Sequence, residues 1–163
     1  MVNVFKPHVF VLPEDDENRE FINGFIGHPA IDDGQIYPLP VAGGWAAVLK
    51  EFEDVYVKRL RDSHNAHIIM LIDYDNEFET RRAKFQAKIP VDVADRAFGC
   101  ADEPKDLKKA TRRCCEEIGR LLANECDTGT EQLWTHGHLR HNNDDRARLT
   151  TTVKPFLFRQ LRA

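Results

Sequence analysis

Long apolar runs are missing from this sequence. No stretch among its 163 residues approaches the ~18–20 apolar residues that cross a bilayer, so no membrane partner is expected. The start, Met1-Val2-Asn3-Val4-Phe5-Lys6-Pro7, lacks the basic-then-apolar pattern of a secretory signal, and a cytoplasmic location follows as the expectation. Cysteine is scarce. Cys100, Cys114, Cys115 and Cys126 contain no C-x-x-C pair, which argues against a zinc ribbon or a thioredoxin-type dithiol. Reduced structural thiols are expected in the cytosol, and the adjacent Cys114 and Cys115 suit burial of one and exposure of the other. Repeats, low-complexity tracts and interior linkers are also absent, which leaves one globular unit long enough to bury a core.

Positive charge is in deficit overall, at a net −4, and this argues against a non-specific nucleic-acid binder. The charge is uneven, however. Residues 1–103 hold 11 Lys+Arg against 19 Asp+Glu, a net of −8, and residues 104–163 hold 12 against 8, a net of +4. A basic C-terminal part can meet a polyanion, although charged helical faces are commonly only solvated.

What is present is an alternation of two periodicities. "HVFVLP" (8–13) reads as a short buried strand, and after it Phe21, Ile22, Phe25 and Ile26 recur at helical spacing behind Asp16 as N-cap, up to the stop at Gly27-His28-Pro29. "QIYPLP" (35–40) is a second strand, shortened by its prolines. "VAGGW" (41–45) is a turn leading to a helix from Ala46 to about Arg61, with Val48, Phe52, Val55 and Leu60 inward. "AHIIMLID" (66–73) is the most apolar strand and is expected at the sheet centre. A polar helix over about 77–87 follows, then a weak fourth strand, "DRAFGCA" (95–101), and a helix running to about Cys126. After a turn at 127–130, "LWTHGHLRHNN" and a last helix or extended segment ending in "KPFLFRQL" close the chain.

Connections this long cannot be hairpins and point to βαβ units. The expected fold class is α/β: a doubly wound, mostly parallel sheet of about four strands over residues 1–110, with a mainly helical C-terminal extension, 111–163, packed on it.

In such sheets ligands sit beyond the carboxyl ends of the strands. There the first strand ends in Glu14-Asp15-Asp16 and the third in Asp73-x-Asp75, with Glu77 two residues further on. If the two strands are neighbours, the carboxylates converge and repel, and at least one has a raised pKa unless a cation holds them. Hard divalent ions such as Mg²⁺ take carboxylate oxygens and keep waters for substrate phosphates, so Glu14, Asp73 and Asp75 are candidate metal ligands. The competing reading makes them solvated loop residues, with Asp16 and Asp75 as helix N-caps.

The order of these features resembles the Toprim domain of topoisomerases, bacterial primases, RecR-type recombination proteins and overcoming-lysogenization-defect nucleases. Its pattern is a glutamate ending strand one, a glycine-bearing turn after strand two, and D-x-D after strand three; here these are Glu14, Gly43-Gly44 and Asp73/Asp75, over about residues 7–110. The chain also resembles small Toprim-related proteins of bacterial phage-defence loci, often adjacent to an ATPase. It departs from the pattern in having Asp15 rather than glycine after Glu14, and small residues, Ala97 and Gly99, in the fourth strand.

The resemblance implies Mg²⁺- or Mn²⁺-dependent hydrolysis of nucleic-acid phosphodiesters, with DNA favoured over RNA, and a partner ATPase or self-assembly into a homo-oligomer. It adds Glu103, with Asp106 as alternative, as a further catalytic acid. Glu14, Asp73 and Asp75 would carry the chemistry. Gly43 and Gly44 would either admit a phosphate close to the backbone or simply form a tight turn. Arg81, Arg82, Lys105, Lys108, Arg140 and His141 are the candidate phosphate-binding cations. No tyrosine stands in an obvious nucleophile position, so activated water is expected to attack.

Two other classes fit parts of the sequence. In a receiver-like signalling domain Asp15 and Asp16 would hold Mg²⁺ and Asp73 would accept phosphate, but no fifth strand ending in lysine is evident. A non-catalytic interaction subunit would use the same scaffold and the basic tail to dock on an ATPase or a nucleic acid. The cluster His136, His138 and His141 suits a transition-metal site, a surface patch, or, with Arg140, positive charge near a phosphate. Trp134 and Leu139 read as core or interface anchors.

Overall fold

In a computed structural model the expected α/β class is realised. The structure describes residues 2–73, 77–101 and 104–159, with backbone alone at Ala101, Pro104, Arg140 and His141. Strands β1 (His8–Pro13), β2 (Ile36–Pro38), β3 (Ala66–Ile72) and β4 (Ala97–Ala101) form one sheet in the order β2-β1-β3-β4. Every pairing is parallel. Leu12 stands opposite Met70 and Pro13 opposite Leu71, so β1 and β3 run side by side to their carboxyl ends. The chain steps from β1 outward to β2, then returns to β3 on the other side of β1 and continues to β4. The junction of β1 and β3 is therefore the topological switch point, where open parallel sheets present a crevice.

Helices cover both faces because each strand is apolar on both. The helices are α1 (Asp16–Ile26), α2 (Trp45–Glu51), α3 (Val57–Asp62), α4 (Phe78–Lys88), α5 (Pro104–Thr111), α6 (Cys115–Thr128), α7 (Asn143–Thr152) and α8 (Lys154–Leu157). On one face Phe10, Leu12, Ile68, Met70 and Ile72 pack with Val48, Phe52, Tyr56, Val57 and Leu60 of the second connection and Phe85 of α4. On the other, Val9, Val11 and Phe98 meet Ile22 of α1 and Val153, Leu157 and Phe158 near the C-terminal end. Buried Arg96 fastens the first layer, its Nη1 donating to the carbonyls of Leu60 (2.7 Å), Ser63 (2.7 Å) and Ala66 (3.2 Å). It thus satisfies acceptors left over where α3 stops.

Several expectations change in detail. The N-cap of α1 is Asp15, not Asp16: its Oδ1 accepts from the Asn18 amide (3.0 Å), while Asn18 Oδ1 accepts from the Asp15 amide (3.2 Å). Only an N3 side chain that reaches back can close this reciprocal box, and Asn18 is the residue placed to do so. The helix expected over 46–61 contains a π-turn, Phe52–Tyr56, between α2 and α3. The wider turn shifts the helical phase, so Val55 is exposed, not inward, and Tyr56 and Val57 are buried together. The helix expected to run to Cys126 breaks between α5 and α6, where Arg112 has φ 55°. Residues 91–96 form a 3₁₀ turn, so β4 begins at Ala97. Cys115 is buried and Cys114 exposed, as their adjacency suggested.

Two glycines set the closest helix contact. A Cβ on Gly24 of α1 would lie 1.8 Å from the Glu116 carbonyl oxygen, and one on Gly119 of α6 would lie 2.0 Å from that of Phe21. Both obstacles are backbone, so the two helices cross at a distance that only glycine permits.

The C-terminal region belongs to the core. Its 3₁₀ turn, Gly137–Asn142, places Leu139 against Phe21, Leu107, Ile118, Leu122 and Leu133. Buried Glu125 of α6 holds the preceding loop by accepting from the amides of Leu133 (2.5 Å) and Trp134 (3.1 Å). From α7, Arg148 donates to the carbonyls of Ala94 and Ala97 at the β4 edge and lies 4.6 Å over the Phe98 ring. The last described residues stay on the Phe98 face and reach the segment between α1 and β2, where Arg159 N donates to Ala30 O (2.7 Å) and Phe158 bridges Ile31. Among the described residues, no helix is long and apolar enough to cross a membrane.

Candidate active site

Glu14 leaves β1 at the switch point, and its position is fixed by the backbone of β3 and of the turn after β2. Its amide donates to Leu71 O of β3 (3.1 Å), and its carbonyl accepts from the amides of Gly43 (3.0 Å) and Gly44 (3.2 Å). The two glycines have φ 91° and 130°, a region closed to most side chains, although there is open space around both Cα atoms. They are required for the path of the chain, and it is the tight-turn role that their geometry displays. Both amides are spent on Glu14.

The Glu14 side chain then turns toward β3. Oε2 accepts from the Asp73 amide at 2.6 Å. The acids that end β1 and β3 in sequence are thus adjacent in space. Burial pushes the Glu14 carboxyl up to about 7; the bond from the Asp73 amide lowers it, the neighbouring Asp73 and Asp15 charges raise it, and Arg81 lowers it. Burial is the larger cause of the rise, and repulsion between the carboxylates adds to it.

Arg81 has a different task from the one its sequence position suggested. Its Nη1 donates to Asp73 O at 2.7 Å, its Nε lies 3.2 Å from Glu77 Oε2, and its guanidinium is 5.2 Å from the Trp45 ring centroid. The side chain is 13% exposed, so it braces the end of β3 more than it presents charge to solvent. Trp45, the residue after the glycine turn, was not singled out from sequence. The signal available was an aromatic residue placed directly after Gly43-Gly44 and a cation at i+4 from Glu77. Lys84 Nζ approaches the same ring at 5.2 Å from an exposed position, giving the site a cation that sequence reasoning passed over.

The other predicted cations are dispersed. Arg82 pairs with Asp144 of α7 (3.5 Å) and stacks over Phe78. Lys108 pairs with Glu17 in the first turn of α1 (2.9 Å). Lys105 is exposed on α5. Asp75 and Glu103 lie outside the described residues, as do the side chains of Arg140 and His141. His136 Nδ1 accepts from the His138 amide (3.1 Å) and the two rings stack with centroids 5.1 Å apart, a local capping arrangement. Among the described residues no group of three His, Cys, Asp or Glu side chains is placed to hold a metal ion.

The donor chemistry nevertheless suits a hard cation. The half-buried Glu14 carboxylate stands against the backbone at Asp73, both side chains offer oxygen donors only, and among the described residues one Glu14 oxygen is left uncommitted. Comparison with family models, with curated proteins and with solved structures returns no match to this chain. The functional reading therefore stands on these residues and their geometry.

Proposed function

We propose that the protein is a Toprim-like, divalent-metal-dependent phosphodiesterase that hydrolyses nucleic acid at the β1–β3 switch point. The observation that carries this reading is the 2.6 Å contact between the Glu14 carboxylate and the Asp73 amide, which joins the two acidic strand ends at the switch point. The order glutamate, glycine turn and aspartate then corresponds to one place in space.

Glu14 and Asp73, with Asp75, would hold Mg²⁺ or Mn²⁺. Bound there, the ion would offset charge growing on a phosphate oxygen and acidify an attacking water. Glu14 would serve either as a ligand of the ion or, where it is not ligated, as the base that takes a proton from the attacking water, a role that suits a carboxyl pushed up to about 7. Arg81 holds the Asp73 backbone, so that the carboxylates keep their mutual geometry while substrate binds. Lys84 and Lys105, both exposed, are the cations available to steer a phosphate backbone. A receiver-like role is less well supported, since it requires the Asp15 carboxylate, which caps α1.

The test is cleavage of supercoiled plasmid and of single- and double-stranded DNA and RNA oligonucleotides with Mg²⁺ or Mn²⁺. Wild type should cut only with metal, and Asp73→Ala and Glu14→Gln should each slow cutting at least ~100-fold, the usual contribution of a general base. Cutting that survives both substitutions refutes the assignment. A wild type inert both alone and with a candidate ATPase would instead mark a non-catalytic interaction subunit.

A further inference from the structure

The two faces of the sheet are unequally filled. On the face toward α2 and α3, Ile68, Met70 and Ile72 of β3 are 0% exposed. On the opposite face Ile69 and Leu71 of the same strand keep accessible surface, although β3 is an inner strand with a neighbour on each side and such strands are normally covered on both faces. The space that reaches them is a cavity of about 170 Å³ between the sheet, α1, α6 and the C-terminal helices. Val11, Ile69 and Leu71 form its floor, and Leu149 and Val153 contribute from α7 and beyond. A lining this apolar favours an alkyl chain over water.

Its charge is one-sided. Among the described residues no Asp or Glu lines it, and the charged lining residues are Arg146 and Lys154. With Thr150 they stand four residues apart along α7 and into α8, and all three also meet solvent, so the cavity reaches the surface there. Arg146 is committed to Glu131 and lies over Trp134. Lys154 Nζ lies 6.0 Å from the Phe158 ring, and among the described residues no carboxylate pairs with it.

We propose that this cavity binds a free medium-chain carboxylate, with the alkyl chain against Ile69 and Leu71 and the carboxylate at Lys154. The inference is independent of the carboxylate site at Glu14. An apolar interior selects a chain, and a rim cation that has no carboxylate partner among the described residues selects an anionic end.

Isothermal titration calorimetry of the whole protein with butyrate, hexanoate and octanoate, below micelle-forming concentrations, tests it. Each added methylene should tighten binding about fourfold until the cavity is full, the equivalent of ~0.8 kcal/mol per buried CH₂. Octylammonium should bind at least tenfold more weakly than octanoate. Lys154→Gln should weaken octanoate at least fivefold and leave 1-octanol unchanged. No dependence on chain length overturns the cavity as the site, and equal binding of octylammonium and octanoate overturns the carboxylate. These two arms use wild type and hold whether or not the variant folds.

Discussion

Replacing Glu14 by glutamine isolates the electrostatics of the switch point. The amide keeps an oxygen to accept from Asp73 N, so the 2.6 Å contact survives while the charge does not. In the folded protein the Glu14 carboxyl is pushed from 4.5 up to about 7. Between those pH values the native state holds a proton that the unfolded chain has released. Stability from this group is therefore fully present below pH 4.5 and is lost as pH rises through about 7. At ~1.4 kcal/mol per pH unit the span corresponds to about 3 kcal/mol; the side chain still meets water, and screening reduces the expectation to about 1–2 kcal/mol. Urea unfolding with chelator present, at half-unit steps from pH 4.5 to 8, should show Glu14→Gln gaining that amount relative to wild type as pH rises, with unchanged m-values. Mg²⁺ at pH 8 should then stabilise wild type and leave the variant unmoved, because mass action acts only where the ion binds. A difference between the two proteins that stays flat over the whole range would show that Glu14 is not held in a charge-disfavouring place, and the argument for a cation site would go with it.

Other perturbations probe the scaffold. Gly24→Ala and Gly119→Ala should each destabilise by about 2 kcal/mol or more in urea, since overpacking against fixed backbone outweighs the ~1 kcal/mol helix preference for alanine; a neutral result would mean that α1 and α6 do not cross at these residues. Burial pushes the His67 imidazole down, with Arg96 and His8 adding to the effect and the carbonyls of His8 and Asn65 opposing it. The unfolded chain therefore takes up the proton first as pH falls below about 6.5, native stability falls with it, and His67→Gln should flatten this acid limb in thermal melts from pH 5 to 7.

The strands were legible because "HVFVLP" and "AHIIMLID" are apolar on both faces and bounded by prolines or acids, which only a doubly covered sheet satisfies. The pairing of Glu14 with Asp73 was legible as a consequence, since adjacent parallel strands bring their carboxyl ends together. The π-turn was not. Tyr56 and Val57 are consecutive apolar residues, and a regular 3.6 period assigned the inward place to Val55. Nor does "TRRCCEE" contain a glycine or proline to announce the break at Arg112. Arg81 read as an exposed cation because sequence spacing records the Glu77 pair but not the carbonyl of Asp73. The cavity was invisible for a related reason: Ile69 and Leu71 have the composition of core residues, and nothing in composition tells whether a neighbour arrives to cover them.

The route of the C-terminal region has a consequence for how the chain is made. Val153, Leu157 and Phe158 close a sheet face whose strands lie between residues 8 and 101, and they are synthesised after everything they cover. On the ribosome β1 and β3 can pair with Ile22 of α1 in place but without the C-terminal cover over the rest of that face. The growing chain therefore passes through a stage with one face only partly covered, a condition in which exposed apolar surface associates wrongly.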